Sequence, residues 1–378
     1  MESVRVEEVK SRSSLNKFIR FNYDLYRRNR YAVPELYRDL VNSFNIKFNA
    51  ALEFCDMVLF IAYREDKVAG RVAGIINRKA NAVWNKKCVR FGWIDFIDDK
   101  DVSKALINAV EHWGRSLGMT EIEGPLGFTD FDPEGMLTEG FDQLGTMSSI
   151  YNYPYYPIHL ESLGFKTSAQ WVEWQIPFRD IPEKMGRIAD VVLKRYDLHL
   201  AHFGSSKGEE AKIYAKKLFA LVNEAYAPLY GYSAFSERQI DDYVDRYLPM
   251  IDKRLVVIIL DKSEEPIAAG LIMPSLSRAL QKAGGKFFPF GWWHLAKALW
   301  IKPDNIVDLM FLAIKPEYQN KGLNSVMFNQ LIPVARKMGF LVAESNPELE
   351  TNDKMQAHWS YFEGSQIHKR RKTFVKNI

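Results

Sequence analysis

The stretch Gln319-Asn320-Lys321-Gly322-Leu323-Asn324 lies between an apolar, strand-like segment and an amphipathic helical segment. The preceding residues 306–314 are mostly apolar, and the apolar residues that follow the stretch recur at helical spacing. A glycine turn that leads into a helix directs several backbone N–H groups at one point, where the helix dipole adds positive potential. Lys321 places a cation beside that point. The pattern therefore predicts a site for a phosphate or pyrophosphate group.

This loop resembles the acyl-CoA loop of the GNAT superfamily of N-acyltransferases, in which Gln/Arg-x-x-Gly-x-Gly/Ala joins a strand to a helix. Gln319 and Gly322 match the pattern, and Asn324 stands where glycine or alanine is usual. The alternative interpretation is a surface turn that binds nothing. The resemblance implies that the strand edge and the loop hold acyl-CoA as co-substrate, through Leu312, Ala313, Ile314, Gln319, Asn320, Lys321, Gly322, Leu323 and Asn324.

The composition is that of an ordinary globular protein. The chain has 378 residues, with 47% hydrophobic and 26% charged residues, and its net charge of +4 gives no reason to expect a nucleic acid partner. The two cysteines, Cys55 and Cys88, have no metal-ligand spacing, so no metal site is predicted. No signal peptide and no apolar run of about 18 residues is apparent. We therefore expect a cytoplasmic protein.

The sequence repeats one order of helices and strands, which predicts an α/β fold with α+β mixed-sheet character and helices on both faces. The two units are predicted at residues 1–180 and 190–378, as tandem GNAT-like domains. In the first unit the loop equivalent to that at Gly322 is Ile97-Asp98-Asp99-Lys100-Asp101, whose three carboxylates would repel a pyrophosphate. Asp101 is predicted to cap the following helix. We expect the first domain to shape the acceptor site or the domain interface.

Nearly the whole chain resembles a bacterial family of two-domain GNAT-like proteins. The matching pieces are Gly70-Arg71-Val72, Phe91-Gly92-Trp93, Glu123-Gly124-Pro125, Glu134-Gly135-Met136-Leu137, Tyr151-Asn152-Tyr153-Pro154-Tyr155-Tyr156 and Glu350-Thr351-Asn352. Relatives of that family include long-chain N-acyltransferases of the sphingoid-base type. The resemblance implies transfer of an acyl group from CoA to an amine, with a long acyl chain or a lipid amine as the favoured substrate.

Several side chains are candidates for the chemistry that this resemblance implies. Asp308 and Glu344 flank the expected cleft and are candidate bases, although each is equally well explained as a paired strand-end residue. Tyr361 is the candidate acid, with packing in the core as its alternative. Asn152 and Tyr156 are candidate substrate contacts from the first domain, or else interface packing. Asn352 is a further substrate candidate, and its alternative role is a helix cap.

The segment 284–300 is rich in aromatic residues and too short to span a bilayer. Its aromatics, together with Lys286 and Lys297, predict peripheral contact with a membrane surface, a wall for an acyl chain, or a cover over the seam between the domains. The basic run His368–Lys372 predicts either a contact for anionic groups or a solvated edge strand.

Two other functions remain open on the sequence alone. One is aminoacyl transfer from a charged tRNA, as in other tandem GNAT-like enzymes, which would require a basic groove. The other is a degenerate pair of domains that binds CoA or acts as a scaffold without catalysis. Binding of CoA separates the acyltransferase from the tRNA-dependent enzyme.

Overall fold

The computed structural model describes residues 3–179, 181, 183–201, 203 and 208–378. The strands of the first half are β1 (Arg5–Glu8), β2 (Cys55–Arg64), β3 (Lys67–Asn77), β4 (Cys88–Phe96), β5 (Glu121–Gly124), β6 (Met136–Glu139) and β7 (Lys166–Pro177). Its helices are α1 (Arg12–Leu25), α2 (Tyr37–Ser43), α3 (Arg78–Val83), α4 (Lys100–Ser116) and α5 (Tyr155–Ser162).

The second half repeats this order with an additional helix at its start. Its helices are α6 (Glu183–Arg195), α7 (Gly208–Tyr226), α8 (Glu237–Tyr247), α9 (Ser277–Ala283), α10 (Gly291–Ala296), α11 (Leu323–Lys337) and α12 (Asp353–Trp359). Its strands are β8 (His199–Leu200), β9 (Val256–Leu260), β10 (Pro266–Pro274), β11 (Ile306–Ile314), β12 (Val342–Ser345), β13 (Glu348–Leu349) and β14 (Gln366–Asn377).

The strands of the described residues form one mixed sheet, and each half supplies the other with its last long strand. The main order is β1-β2-β3-β4-β5-β14-β7-β12-β11-β10-β9-β8. Strand β14 of the second half pairs with β5 of the first, and β7 of the first half pairs with β12 of the second. The predicted α/β mixed-sheet fold is therefore confirmed, and the boundaries at 1–180 and 190–378 stay a prediction.

The basic run His368–Lys372 lies in β14, at the centre of the sheet. This contradicts the expectation of a solvated edge strand, because β14 is paired on both sides by β5 and β7. Lys369 and Arg371 are buried, and both pair with the carboxylate of Glu173 on β7. Burial opposes ionisation of Glu173, but the two cations outweigh it and lower its pKa to about 2. The carboxylates of Glu173 and of Glu344, whose Oε2 lies 3.4 Å from Lys369 Nζ, thus balance these two buried cations inside the protein.

Helix α11 lies on one face of the second half's sheet. Leu323, Val326, Met327 and Leu331 on its inner side join a core cluster with β9, β10 and β11. Helix α6, which the sequence analysis did not recognise, packs along α11 through Ala189 and Val192 of the same cluster. The core therefore fixes the helix that begins at Gly322 relative to the strand that precedes it.

Candidate active site

The loop between β11 and α11 has the shape that its glycine predicts. A short 3₁₀ turn, Pro316–Tyr318, leads out of β11, and Gly322 then adopts the left-handed conformation with φ of 84° and ψ of 10°. A β-carbon at Gly322 would lie 3.0 Å from Val192 Cγ2 and 3.2 Å from Ile188 Cγ2. A larger residue would therefore meet both backbone strain and the packed side of α6.

Helix α11 starts without a side-chain cap at Gly322. The first N–H groups of an α-helix have no partner within the helix, so this terminus offers donors to an anion. The ammonium of Lys321 lies 4.7 Å from the centre of the Tyr318 ring and 5.0 Å from that of Tyr196. These cation–π contacts hold a positive charge beside the loop.

Strand β12 ends at Ser345, so the edge of β11 beyond Leu309 has no described strand beside it, and this open edge is called the gap. The parallel pairing of the two strands runs from Ile306 to Leu309 on β11, and a bulge opposite β10 leaves Met310 as the extra residue. The carbonyls of Met310 and Leu312 accept hydrogen bonds from Asn346 Nδ2 at 2.9 Å and from the Tyr226 hydroxyl at 3.2 Å. Because a residue in an antiparallel pair presents its N–H and C=O on the same edge, the N–H of Leu312, which pairs with Gly270, also faces the gap.

Asp308 and Glu344 meet at the base of this gap, where their Cα positions are paired between β11 and β12. Asp308 is buried, and neither of its carboxylate oxygens makes a geometrically sound hydrogen bond with a described residue. Burial raises the pKa of Asp308 to about 7, and the charge of Glu344 adds to this, while the nearby hydroxyl of Ser275 opposes it. Asp308 is therefore a carboxyl group that titrates near neutral pH.

Glu344, in contrast, belongs to a chain of buried charges. Its carboxylate accepts a hydrogen bond from Gln175 Nε2 at 3.1 Å, and its Oε2 lies 2.7 Å from His368 Nε2 and 3.4 Å from Lys369 Nζ. The ammonium of Lys369 also lies 2.8 Å from Glu173 Oε2. The two predicted bases thus lie together, but only Asp308 is free of a cationic partner within ion-pair distance among the described residues.

Among the described residues, the other two predicted residues of the second half make their contacts outside this cluster. Tyr361 follows α12 and is exposed, with its ring 6.3 Å from that of His358. Asn352 caps α12, since its side chain accepts a hydrogen bond from the Met355 N–H at 3.3 Å. The cap role that the sequence allowed for Asn352 is present, and the acid role of Tyr361 stays a prediction without a supporting contact.

The predicted substrate contacts of the first half are both occupied by internal hydrogen bonds. Asn152 is buried, and its amide exchanges hydrogen bonds of 2.7 and 3.0 Å with the backbone of Leu137. The hydroxyl of Tyr156 is buried between Tyr26 and the backbone N–H of Phe96, at 3.0 Å from each. This geometry matches the alternative of structural packing, because a substrate cannot reach either side chain without displacing these bonds.

Three residues near the gap were missed by the sequence analysis. Tyr226 and Asn346 bind the strand edge, and Glu348 follows β12 with both carboxylate oxygens bonded to Trp359 Nε1, at 3.0 and 3.1 Å. Burial raises the pKa of Glu348 to about 7, although this hydrogen bond opposes the shift. Asn346 and Glu348 flank Pro347 in the segment that follows β12, and loops at strand ends commonly supply the polar residues of a site.

The corresponding loop of the first half is closed by its own side chains. Asp99, rather than the predicted Asp101, caps α4, and its carboxylate accepts from the N–H groups of Asp101 and Val102. Arg64 pairs with Asp99 at 2.7 Å and with Asp101 at 3.1 Å. Asp99 takes the cap because it is the residue before the first helical turn, and its side chain reaches the donors that a ligand would need.

One group of potential metal ligands occurs in the described residues, formed by Cys88, Glu121 and Glu123. The ammonium of Lys86 lies 3.7 Å from Glu121 and 3.1 Å from Glu123. Burial raises the pKa of the Cys88 thiol, and the two carboxylates add to this shift. A neutral thiol and a resident ammonium make this group an internal ion pair rather than a ligand set.

The protein has the fold of a tandem GNAT protein. It superposes on a tandem GNAT protein from the clavulanic acid biosynthesis pathway with a TM-score of 0.56 and 11% identity, over 99% of this chain and 98% of the other. It also superposes, with a TM-score of 0.55 and 12% identity, on a glucosamine N-acetyltransferase region of a fungal multi-domain β-N-acetylglucosaminidase. That match covers 100% of this chain and 38% of the fungal one. The resemblance found in the sequence is thus confirmed at the level of the fold.

Two curated proteins are similar to the chain over most of their length. Protein YghO of Escherichia coli K12 is 24% identical over 375 residues, which cover 97% of this chain and 94% of YghO. The bacterial ceramide synthase of Caulobacter vibrioides is 24% identical over 361 residues, covering 92% of this chain and 91% of the synthase. No family model matches the sequence. Among the described residues, no helix has the length and apolar character needed to cross a membrane.

Proposed function

We propose that this protein is an acyl-CoA-dependent N-acyltransferase whose acyl-transfer site lies in the second half. The observation that carries the proposal is the uncapped, glycine-led start of α11, which lies directly beyond the separated edge of β11. The diphosphate of CoA would bind the N–H groups of this helix terminus, beside the ammonium of Lys321. The pantetheine arm would then follow the N–H groups on the edge of Met310–Ile314 toward Asp308.

The charge distribution of the site supports direct attack of an amine on the thioester. In this reaction the amine nitrogen forms a bond to the acyl carbon, the carbon–sulfur bond breaks, and the amine loses one proton. The carboxylate of Asp308, with its pKa near 7, would accept that proton, and a backbone N–H of β11 would stabilise the oxyanion. The departing thiolate takes up a proton from water or from a neighbouring acid.

A long-chain or lipid amine is the acceptor that we propose. One full-length relative is named a bacterial ceramide synthase, a name that describes acyl transfer to a lipid amine in that protein. The segment 284–300 supports the same choice, because Phe290 is 71% and Trp300 is 61% exposed. Lys286 and Lys297 are exposed on the same segment. We therefore propose peripheral contact of this segment with an anionic membrane surface, to be measured by co-sedimentation with vesicles.

The function is tested by titrating CoA, acetyl-CoA and palmitoyl-CoA into the wild-type protein in a calorimeter. The variant Gly322→Glu should lose binding of all three, since it places a carboxylate at the helix terminus. The matched control is Gly339→Glu at the other end of α11. Gly339 also has a positive φ, of 93°, and a β-carbon there would meet nothing within 4 Å. The control should bind CoA as the wild type does.

Turnover is measured by release of the CoA thiol from palmitoyl-CoA in the presence of a long-chain amino alcohol. Thiol release that depends on the amine, and that is lost in Gly322→Glu but kept in Gly339→Glu, is the expected result. Failure of all three CoA compounds to bind the wild-type protein would overturn the proposal and leave the tRNA-dependent and scaffold functions. Binding without any amine-dependent release would favour the non-catalytic CoA-binding protein.

A further inference from the structure

A cavity of about 1170 Å³ lies in the first half, away from the Gly322 loop. It is bounded by the end of α1 and its connection to α2, by the residues of β4 around Trp93, and by the segment 147–151. The segment 280–288 of the second half closes the remaining side. This volume exceeds the range of roughly 300–1,000 Å³ that is common for small-molecule sites. Neither Gly322 nor Asp308 is part of its wall.

Part of the buried cavity wall is apolar or aromatic. Ile94, Leu280 and Tyr26 are buried wall residues, and Val33 and Met147 extend the apolar surface between them. Val33, Met147 and Leu280 belong to one apolar cluster that also contains Met310 and Phe311 of β11. An apolar chain in this cavity would be separated from water by these side chains, and apolar burial favours such binding.

The same wall carries more positive than negative charge. Six cationic side chains and three carboxylates line it, and one pair, Arg71 with Asp95 at 2.7 Å, is neutralised. Burial raises the pKa of Glu35 to about 7, although Arg71 opposes this, so this carboxyl group is partly neutral at pH 7. Within the described chain, no ion pair forms at Arg27 or Arg30. The wall therefore attracts an anion.

The rim of the cavity joins the exposed aromatic surface of the second half. Phe287 and Phe288 line the cavity and are also exposed. Gly285 brings this segment against the first half, because a β-carbon there would lie 2.5 Å from the Tyr23 ring. The carbonyl of Gly285 also accepts a hydrogen bond of 2.8 Å from the Tyr37 N–H. An apolar ligand would reach the interior over a continuous aromatic surface.

The segment 144–151 connects the cavity to the buried charges of β14. Its carbonyls at Leu144 and Ile150 accept hydrogen bonds from Lys369 and Arg371, respectively. Met147 and Ile150 of the same segment line the cavity. The buried ion pairs thus hold one wall of the cavity in place, which indicates a formed site rather than a loose surface groove.

We infer that this cavity binds an anionic amphiphile, with its apolar chain against the aromatic wall and its phosphate or carboxylate near Arg27 and Arg30. A lipid headgroup and a free fatty acid share this chemistry. The inference concerns a site in the first half and does not require that the Gly322 loop bind CoA. It gives the half without a glycine loop a ligand of its own.

The test uses the full-length protein and four probes below their micellar concentrations: hexadecyl phosphate, palmitate, hexadecyltrimethylammonium and palmitoyl-CoA. The double variant Arg27→Glu/Arg30→Glu should bind hexadecyl phosphate at least tenfold more weakly than the wild type. Its control is Arg12→Glu/Arg28→Glu, which makes the same change in net charge at two exposed arginines of the same region that do not line the cavity. The control should bind as the wild type does. Thermal unfolding of both variants checks that the fold is kept.

The probes separate the possible sources of the ligand. Tighter binding of hexadecyl phosphate than of palmitate indicates a phospholipid, and the reverse indicates a fatty acid. Equal binding of the cationic probe, or equal weakening in the control, would overturn the inference as adsorption of detergent. Hexadecyl phosphate should still bind Gly322→Glu, and its loss there would overturn a separate site. A different outcome is that palmitoyl-CoA still binds Gly322→Glu but no longer binds the Arg27→Glu/Arg30→Glu variant. This result would contradict the proposed function and would still support a ligand site in the cavity.

Discussion

In each half a helix follows the corresponding strand, α4 after β4 and α11 after β11. The N–H groups at the start of these two helices meet opposite environments. In the first half the carboxylate of Asp99 accepts from the N–H groups of Asp101 and Val102, and Arg64 neutralises it. In the second half Gly322 leaves the start of α11 without a side-chain cap. In the first half an internal carboxylate therefore occupies the place at the helix start where we propose that the second half binds an external anion.

The strand pairs beside these loops also differ, because among the described residues the polar residue at one position has an internal partner in the first half only. Arg90 and Glu123 are register partners between β4 and β5, as Asp308 and Glu344 are between β11 and β12. Arg90 donates to the carbonyl of Gly127 at 3.2 Å and so holds the loop that follows β5. Asp308 makes no comparable contact with a described residue. At this position the first half therefore has an arginine that stabilises a loop, Arg90, and the second half has a carboxyl group with a raised pKa, Asp308.

The largest expected effect comes from removing that carboxyl group. Asp308→Asn should lower kcat/KM by about 10²–10⁴-fold, the usual contribution of a general base. Because burial raises the pKa of Asp308 to about 7 and the base acts in its charged form, wild-type kcat/KM should rise as the pH rises through about 7. The pH–rate profile of thiol release measures this, and any residual activity of the variant should lack that rise.

The raised pKa of Asp308 should also make the stability of the protein depend on pH. The folded state favours the neutral carboxyl group of Asp308, so the free energy of unfolding should fall as the pH rises from about 4 to about 7. Asp308→Asn should make this slope shallower by the contribution of one proton, and the rest of the slope comes from other carboxyl groups with raised pKa values, such as Glu35 and Glu348. Asp304→Asn is the control, since Asp304 is a half-exposed residue just before β11 that pairs with Arg278 at 3.3 Å. Wild-type activity in Asp308→Asn would assign the base elsewhere, and Glu348 would then be the next candidate.

The connections after the third strand of each half offer a second contrast. In the first half this connection is the short helix α3, whereas in the second half it is the long aromatic segment that contains α9 and α10. Phe290→Ser/Trp300→Ser should weaken binding to anionic vesicles by tenfold or more, because burial of each large apolar side chain contributes about 1.5–3 kcal/mol. Co-sedimentation over a range of lipid concentrations gives the partition coefficient.

The matched control for membrane contact is Val83→Ser/Ile158→Ser in the first half. Both residues are exposed apolar side chains, at 62% and 58%, and neither lies on the aromatic segment. This control should partition as the wild type does. Equal losses in both double variants would mean that vesicles bind exposed apolar residues indiscriminately, and the contrast between the two connections would then disappear.

Local patterns in the sequence predicted the features that depend on neighbours in the chain. The glycine loop and the apolar strand before it follow from short-range order, whereas the pairing of Asp308 with Glu344 in register between β11 and β12 is seen only in the fold. The exchange of β7 and β14 between the halves does not, because a basic run such as His368–Lys372 looks solvated until its partner Glu173, almost 200 residues away, is known. Such long-range pairing of charges leaves no local pattern.

The same limit explains why the sequence left two roles open for Asn152 and Tyr156. Tyr156 and Asn152 stand in an aromatic stretch that looks like a binding surface, and only the fold shows that their polar atoms meet Tyr26 and the backbone of Leu137. The cavity of the first half was also beyond reach, since its wall joins the first half to the segment 280–288. Sites assembled from both halves require the packing of the halves to be known.

The smallest expected effect tests the cap that distinguishes the first half. Asp99→Ala should lower the free energy of unfolding by about 0.5–2 kcal/mol, because two N–H groups at the start of α4 lose their acceptor. Asp101→Ala should have a smaller effect, since the Asp101 carboxylate is exposed and accepts a hydrogen bond from Arg64 at 3.1 Å. Denaturant unfolding of the two variants measures the difference, and equal losses would contradict a cap at Asp99. CoA binding that appears at a second site in Asp99→Ala would show that one carboxylate alone keeps the first half from acting like the second.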